Sequence, residues 1–522
     1  MRADLITLSK LRNAGAPPMI VIHGGRVLRP GALDCEPLDV IVEHDTIADL
    51  VSPASVSGDT AQRIDASGKL LIPGLVNGHT HAQVTLARGM FDRYTLELYL
   101  NAMAWTTGRR TLEDKYVSAA IGAAEMVRKG CTAAYDMFAE FPVPTVDGVD
   151  AVARAYSDVG MRAVIAPMLA DRSFYRAIPG LLDVLPDDLR DAVLKIEYAP
   201  HSQTVGACRT IIESWAWDRE CLRPALGPTI PHHCSDEFLV ECRNLAAELD
   251  IGIQMHVAES KLQAIVAQRR YGESLVAHLD TLRLLRPRFC ASHGIWIDAD
   301  DRGRLAAAGA SIAHNPGSNF KLGSGMADLR RMLDSGINVA LGTDGCASSD
   351  NLNPFEAMRL AAFVSRVGDH PVERWVTSRE ALHAATEGGA RALGFDRIGR
   401  IAPGYKADIV FIDLGALHYL PLNDVVNQLV FCEDGTGVES VMIGGRMVLD
   451  HGVFTTIDPL KLRTQAEEAV ARLSSQTREG RALSERLAPL VGQYCSGLAV
   501  TPHHVHRLWN GDDDNRARVQ YD

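Results

Sequence analysis

Between residues 71 and 343 one pattern recurs eight times: a short apolar run of β-forming residues, then a longer stretch with helical spacing. The runs fall at 71–76, 132–137, 162–168, 223–228, 251–256, 288–293, 311–314 and 338–343. Between them the spacing predicts helices, for example 239–249 behind a Ser235-Asp236 cap, and 260–279. Eight strands alternating with helices fit a closed parallel barrel better than an open sheet. The expected class is therefore α/β, with a (β/α)8 TIM-like barrel over residues 73–400.

The flanks read differently. Short β-type runs at 19–23, 39–43 and 46–50 are punctuated by Gly24-Gly25, Arg29-Pro30-Gly31 and His44-Asp45, which reads as antiparallel hairpins. Runs of the same kind return at 407–413, 438–443 and 447–449. A small β-sandwich assembled from both chain ends, 19–72 and 401–455, accounts for both sets. Residues 1–18 end in Gly15-Ala16-Pro17-Pro18 and read as a flexible arm. Residues 456–522 read as a helical C-terminal extension, helical in pattern over 456–495, with a polar tail at 510–514. Thr377-Ser378-Arg379-Glu380 forms a capping box that opens a helix ending near Gly394.

Composition narrows the partners. A formal charge of −12 over 522 residues argues against nucleic acid or an anionic membrane surface. No apolar run approaches the ~18 residues needed to span a bilayer, and the start, with Asp4, lacks a secretory apolar core. Ten cysteines without a C-x-x-C pair read as reduced thiols. The expectation is a cytoplasmic protein acting on a small molecule.

The sharpest local signal is Asn77-Gly78-His79-Thr80-His81, at the end of the first run. In extended backbone, residues i and i+2 share a face, so His79 and His81 can converge on one ion. Three further polar residues close candidate strands at their C-terminal ends: His256, His293 and Asp344. That is the face on which a (β/α)8 barrel carries its active site. Competing motifs are weak or missing. An isolated S-x-x-K occurs at Ser318, and H-E-x-x-H, G-x-S-x-G, a Walker loop and P-C-x-x-C are all lacking.

The set Pro73-Gly74-Leu75-Val76-Asn77-Gly78-His79-Thr80-His81, His256-Val257-Ala258-Glu259, Ser292-His293-Gly294 and Leu341-Gly342-Thr343-Asp344-Gly345 resembles the amidohydrolase superfamily. It is most similar to the branch of cytosine, guanine and S-adenosylhomocysteine deaminases and triazine hydrolases. The stretches 313–319 and 399–408 are also similar to that branch, and the likeness spans about 19–455. It implies that His79, His81, His256 and Asp344 hold one divalent metal, zinc first, with iron, cobalt or manganese as alternatives. It further implies that Glu259 shuttles protons, that His293 contacts the metal's water, and that Asp344 accepts a proton while ligating. Binuclear relatives carry a lysine after the fourth strand. None ends the run at 223–228, and Lys195 reads as a solvated charge, so one metal per chain is expected.

Several deaminases of the branch carry Pro-His-Ala-Pro-Tyr after the fourth strand, whereas this chain has Pro228-Thr229-Ile230-Pro231-His232-His233. Thr229 thus stands where a substrate-touching histidine is expected, which weakens the link to adenosyl substrates. His232 or His233 is a candidate replacement, either being equally a solvent-facing loop residue. His201 is the alternative should the fourth strand lie earlier. Further candidate contacts are Asn319 and, among Arg88, Phe91, Tyr94, Tyr99 and Trp105 after His81, chiefly Trp105, although aromatic residues at such spacing more often pack helices. The implied reaction is attack of metal-bound hydroxide on an sp² carbon bearing nitrogen, as in deamination of an amino-substituted N-heterocycle. The runner-up is cleavage of ureas, carbamates or amides, phenylurea-type compounds included. A barrel that has lost catalysis and serves as a structural oligomer is the remaining alternative, and a homodimer or larger assembly is the usual family arrangement.

Overall fold

The computed structural model describes residues 19–29, 31, 35–55, 61–106 and 109–508. The expected arm at 1–18 and the tail at 510–514 lie outside the described residues.

Eight strands form one parallel sheet in chain order: β1 (Leu75–Thr80), β2 (Cys131–Ala139), β3 (Arg162–Leu169), β4 (Leu222–Pro228), β5 (Gly252–Val257), β6 (Phe289–His293), β7 (Ser311–His314) and β8 (Asn338–Leu341). All eight expected runs are strands, because a sheet covered on both faces needs continuous apolar segments rather than alternating ones. The sheet curls until β1 meets β8. Just beyond β8, the Asp344 N–H donates to the His79 carbonyl at 2.9 Å. At this seam a Cβ on Gly78 would lie 2.6 Å from the Ala340 Cβ, so only glycine fits. Asn77 reinforces the closure, accepting from the Thr343 N–H at 3.0 Å and donating to the Thr343 hydroxyl at 2.7 Å.

Side-chain caps start the intervening helices: Thr111 before Leu112–Arg128, Ser235 before Asp236–Glu248 and Ser260 before Lys261–Tyr271. The helix expected over 260–279 is two, Lys261–Tyr271 and Leu275–Thr281, since Gly272 sits at φ +73° and ends the first. The run at 71–76 is likewise divided. Lys69–Pro73 belongs to the flanking sheets and β1 begins at Leu75. Gly74 makes the break, its N–H donating to the Asp408 carbonyl where a Cβ would collide with Thr132.

The flanking layers are a four-stranded and a seven-stranded sheet. Strand Lys69–Pro73 shows how they join the barrel, because its side chains alternate with period two. Leu71 packs between the sheets with Ile22, Val40 and Phe411, whereas Leu70 and Ile72 join the barrel-side core with Met126 and Val127. Burying each such leucine or isoleucine contributes about 1.5–3 kcal/mol. At the C-terminus, helices Pro459–Gln476 and Arg478–Ala499 return to the barrel, the second packing on Leu96–Thr106 and Lys261–Tyr271. Among the described residues, no helix is long and apolar enough to cross a membrane.

Candidate active site

The C-terminal rim of the barrel brings together the polar residues that end its strands. His79 lies in β1 and His81 one residue past it, on the same face as i, i+2 spacing requires. His256 is the last residue but one of β5, His293 ends β6, and Asp344 follows β8 by three residues. All five side chains are buried.

Each imidazole is held by its Nδ1. His81 Nδ1 donates to the Met137 carbonyl and His256 Nδ1 to the Thr229 carbonyl, both at 2.6 Å. His79 Nδ1 donates to Gln254 Oε1 at 2.8 Å, with the Ser292 hydroxyl at 3.1 Å. Gln254 is oriented in turn, its Nε2 donating to the Gly78 carbonyl at 2.9 Å. These acceptors cannot donate, so the proton sits on Nδ1 and each Nε2 presents a lone pair.

The Nε2 atoms of His81 and His256 face each other at 3.1 Å with no hydrogen between them. His79 Nε2 is buried without a hydrogen-bond partner. Asp344 Oδ1 lies 3.3 Å from His81 Nε2 and 3.7 Å from His79 Nε2. Three lone-pair nitrogens and a carboxylate oxygen converging in a buried space fit a divalent cation and little else. The electrostatics agree. Burial, with His81 beside it, pushes His79 down to about 3, and burial among the other histidines holds His256 well below its usual range. Both imidazoles are therefore neutral, as ligands must be. Burial alone would raise Asp344, but its position among the His81, His79 and His293 rings lowers it below the ordinary range.

A second group adjoins the first. Glu259 Oε1 lies 3.6 Å from His293 Nε2, which is 4.0 Å from Asp344 Oδ2. His293 Nδ1 is fixed by Asn319 Oδ1 at 2.9 Å, leaving Nε2 without a hydrogen-bond partner. Burial, with the Asp344 and Glu97 carboxylates nearby, pushes the Glu259 carboxyl well above the ordinary range. Ala258, His293 and Asp344 take left-handed φ values of 51°, 73° and 59°, so three strand ends hold strained non-glycine residues beside these groups.

The remaining expectations separate. Thr229 meets the site through its carbonyl, which orients His256, while its hydroxyl points toward Met168 Sδ at 3.7 Å. His232 and His233 are buried rather than solvent-facing; His232 Nε2 bonds the Gln263 carbonyl at 3.0 Å, and His233 packs near Phe174. His201 stands apart on helix His201–Glu213, paired with Glu241. The fourth strand lies where expected, so His201 has no part here. Lys195 is exposed beyond helix Asp187–Leu194. Trp105 packs as the helix alternative has it: it sits among Leu483, Leu487 and Tyr175, its indole N–H donating to the Tyr175 hydroxyl at 2.9 Å. From the same helix, Tyr99 lies within the field of Asp344 and Glu259, and burial and those charges raise its phenol pKa. Gln254, Ser292 and Asn77 carry orienting roles that the sequence reading did not assign. Period-two spacing was available for Gln254, two residues before His256 on one face.

The model for the amidohydrolase family matches residues 70–448. The 5′-deoxyadenosine deaminase of Methanothermobacter thermautotrophicus is 34% identical over 457 residues, covering 87% of this chain and 99% of its own. A 5-methylthioadenosine/S-adenosylhomocysteine deaminase of Thermococcus kodakarensis is 34% identical over 432 residues, covering 82% and 94%. Among solved structures, an adenosine deaminase of Xanthomonas campestris with bound zinc superposes with a TM-score of 0.77 at 28% identity, covering 87% of this chain and 98% of that one.

Proposed function

The chain belongs to the amidohydrolase family, and from that premise we infer that it is a divalent-metal-dependent aminohydrolase. It replaces the amino group of an N-heterocycle by oxygen and releases ammonia. The observation that carries the reading is the pairing of a lone-pair cluster with a proton-holding carboxyl, Glu259, beside it. We assign the cation to His79, His81, His256 and Asp344, one per chain and zinc first; when bound there it supplies an activated water and offsets developing negative charge.

The chain's own residues do the rest. Glu259, held protonated more readily than a solvated carboxyl, donates to a ring nitrogen and makes the adjacent carbon electrophilic. It then accepts the proton released by the incoming water and passes it to the leaving amine. His293, fixed by Asn319, turns its Nε2 toward the same space and positions the oxygen nucleophile. Asp344, ionised at rest, takes the second proton of that water and returns it to Glu259, which restores the starting carboxyl. The balance is one water consumed and one ammonia released.

For substrate we propose an aminopurine, first as an adenine nucleoside altered at the 5′ position. The names of the relatives at 34% identity support this choice. The complete ligand set speaks against a barrel without catalysis. A cytoplasmic location and a homo-oligomer belong to the same reading, and light scattering checks the second. The decisive experiment incubates metal-replete protein with adenine nucleosides, free aminopurines, aminopyrimidines, ureas and carbamates, reading ammonia and product mass. Ammonia with an oxo-ring product is expected. A substituted amine from ureas or carbamates alone would move the assignment to the runner-up, and no product from any of them would end the C–N hydrolysis reading.

A further inference from the structure

The segment that follows the last helix, beyond the residues matched by the family model, returns to the active-site rim. Arg507 Nε donates to the Ile295 carbonyl at 3.0 Å and its Nη2 to the Ile297 carbonyl at 3.1 Å. Ile295 and Ile297 lie in the loop that leaves β6 directly after His293. That loop is bonded back to the neighbouring strand end. The Gly294 N–H donates to the Val257 carbonyl, and the Ile295 and Trp296 N–H groups both donate to the Ala258 carbonyl, at 2.9–3.1 Å. Ala258 is the left-handed residue immediately before Glu259.

The opposite side of Arg507 holds a third loop. Its carbonyl accepts from the Met326 N–H at 2.7 Å, and a Cβ on Gly325, at φ +125°, would sit 2.9 Å from that carbonyl. The indole N–H of Trp296 donates to the Ser324 carbonyl at 2.8 Å, joining this loop to the first. Residues 323–326 follow the helix Pro316–Lys321 that carries Asn319, the partner of His293. One guanidinium and one carbonyl thus span the segments that set Glu259, His293 and Asn319. The four residues assigned to the cation lie outside this fork's partners.

We propose that Arg507 is a positioning residue for the Glu259–His293 pair, acting through the 294–297 loop and its bonds to Ala258. It rests on the deaminase reading for its kinetic test but not for its structural one. Charge alone does not explain the arrangement, because the guanidinium points two donors at two backbone carbonyls, a geometry lysine cannot reproduce. A misplaced proton shuttle slows the chemical step while leaving ligand binding largely intact.

The test compares wild type, Arg507→Ala and Arg507→Lys as full chains. In Arg507→Ala we expect unchanged metal content, kcat reduced about tenfold or more and KM within about twofold. Hydrogen exchange should accelerate at the amides of Gly294, Ile295 and Trp296, with β1 and β8 unaffected. Millimolar guanidinium should restore kcat in Arg507→Ala and leave wild type unchanged. Should Arg507→Ala fail to fold, Arg507→Lys carries the test: slower turnover with faster loop exchange supports the proposal, and wild-type values for both overturn it. Wild-type kcat and exchange in a folded Arg507→Ala also overturn it, as does metal loss in step with activity. A wild-type protein inactive on every amino-heterocycle would remove the deaminase reading while leaving the exchange prediction standing.

Discussion

The two sides of this site are built by different means. On the cation side, His79, His81 and His256 sit in or beside barrel strands, each ring locked by an acceptor on a barrel strand or at its end. On the opposite side, the helix Leu96–Thr106 is held from far along the chain. Asn101 Nδ2 donates to the Ser484 carbonyl and hydroxyl at 3.2 Å, while Asn101 Oδ1 accepts from Tyr175 at 2.8 Å. The first arrangement is rigid because the strands are; the second is as rigid as the packing between a loop-borne helix and the C-terminal helices. The groups assigned to the chemistry thus rest on the strand side, and the two sides should fail differently.

The largest effect should come from breaking the strand side. His256→Ala removes one of the three lone-pair nitrogens assigned to the cation, so we expect loss of the cation, measured by elemental analysis, and turnover at background. Glu259→Gln should separate binding from chemistry. It keeps the shape but neither holds nor moves a proton, so metal content stays and kcat falls by about 10²–10⁴. Wild-type turnover in that variant would reduce Glu259 to a loop residue. Gln254→Leu should be milder. His79 loses its orienting acceptor, and metal affinity, followed by competition with a chelator, should weaken by about 10–100-fold while kcat at saturating metal changes little.

How far this was legible follows the same division. The H-x-H pair, His256, His293 and Asp344 stood out because strand periodicity and the barrel's C-terminal rim convert local spacing into three-dimensional convergence. The eight strands were legible for a related reason: parallel strands buried on both faces have to be continuous apolar runs. The helix side was not. Nothing near Asn101 in sequence points to Ser484, and nothing near His293 points to Arg507, since those contacts depend on how the C-terminal helices return. The misplaced boundary at 71–76 has a similar origin, because one apolar run feeds two sheets and only Gly74 marks the change. Trp105 was a candidate contact because the aromatics after His81 could wall a flat ring, with helix packing as the alternative, and on the helix they share Tyr99 and Trp105 turn apart. Tyr99 faces the carboxylates and Trp105 the C-terminal helices.

Trp105 therefore gives the smallest effect and the sharpest comparison. Trp105→Phe keeps an aromatic ring but removes the indole N–H that donates to Tyr175. The Tyr175 hydroxyl still donates to Asn101, so one neutral hydrogen bond is lost rather than a network. That costs about 1 kcal/mol, and the smaller ring leaves space among Leu483, Leu487 and Tyr175 that adds about as much again. We expect a modest drop in the thermal midpoint, unchanged metal content and KM within about twofold of wild type. A substrate ring stacked on the indole would behave otherwise. Losing part of that surface would raise KM several-fold with little change in stability, since stacking energy would be lost only in the complex. A KM shift without a midpoint shift would return Trp105 to the substrate wall and make the helix side part of recognition. The reverse pattern would leave it as the joint between that helix and the C-terminal extension.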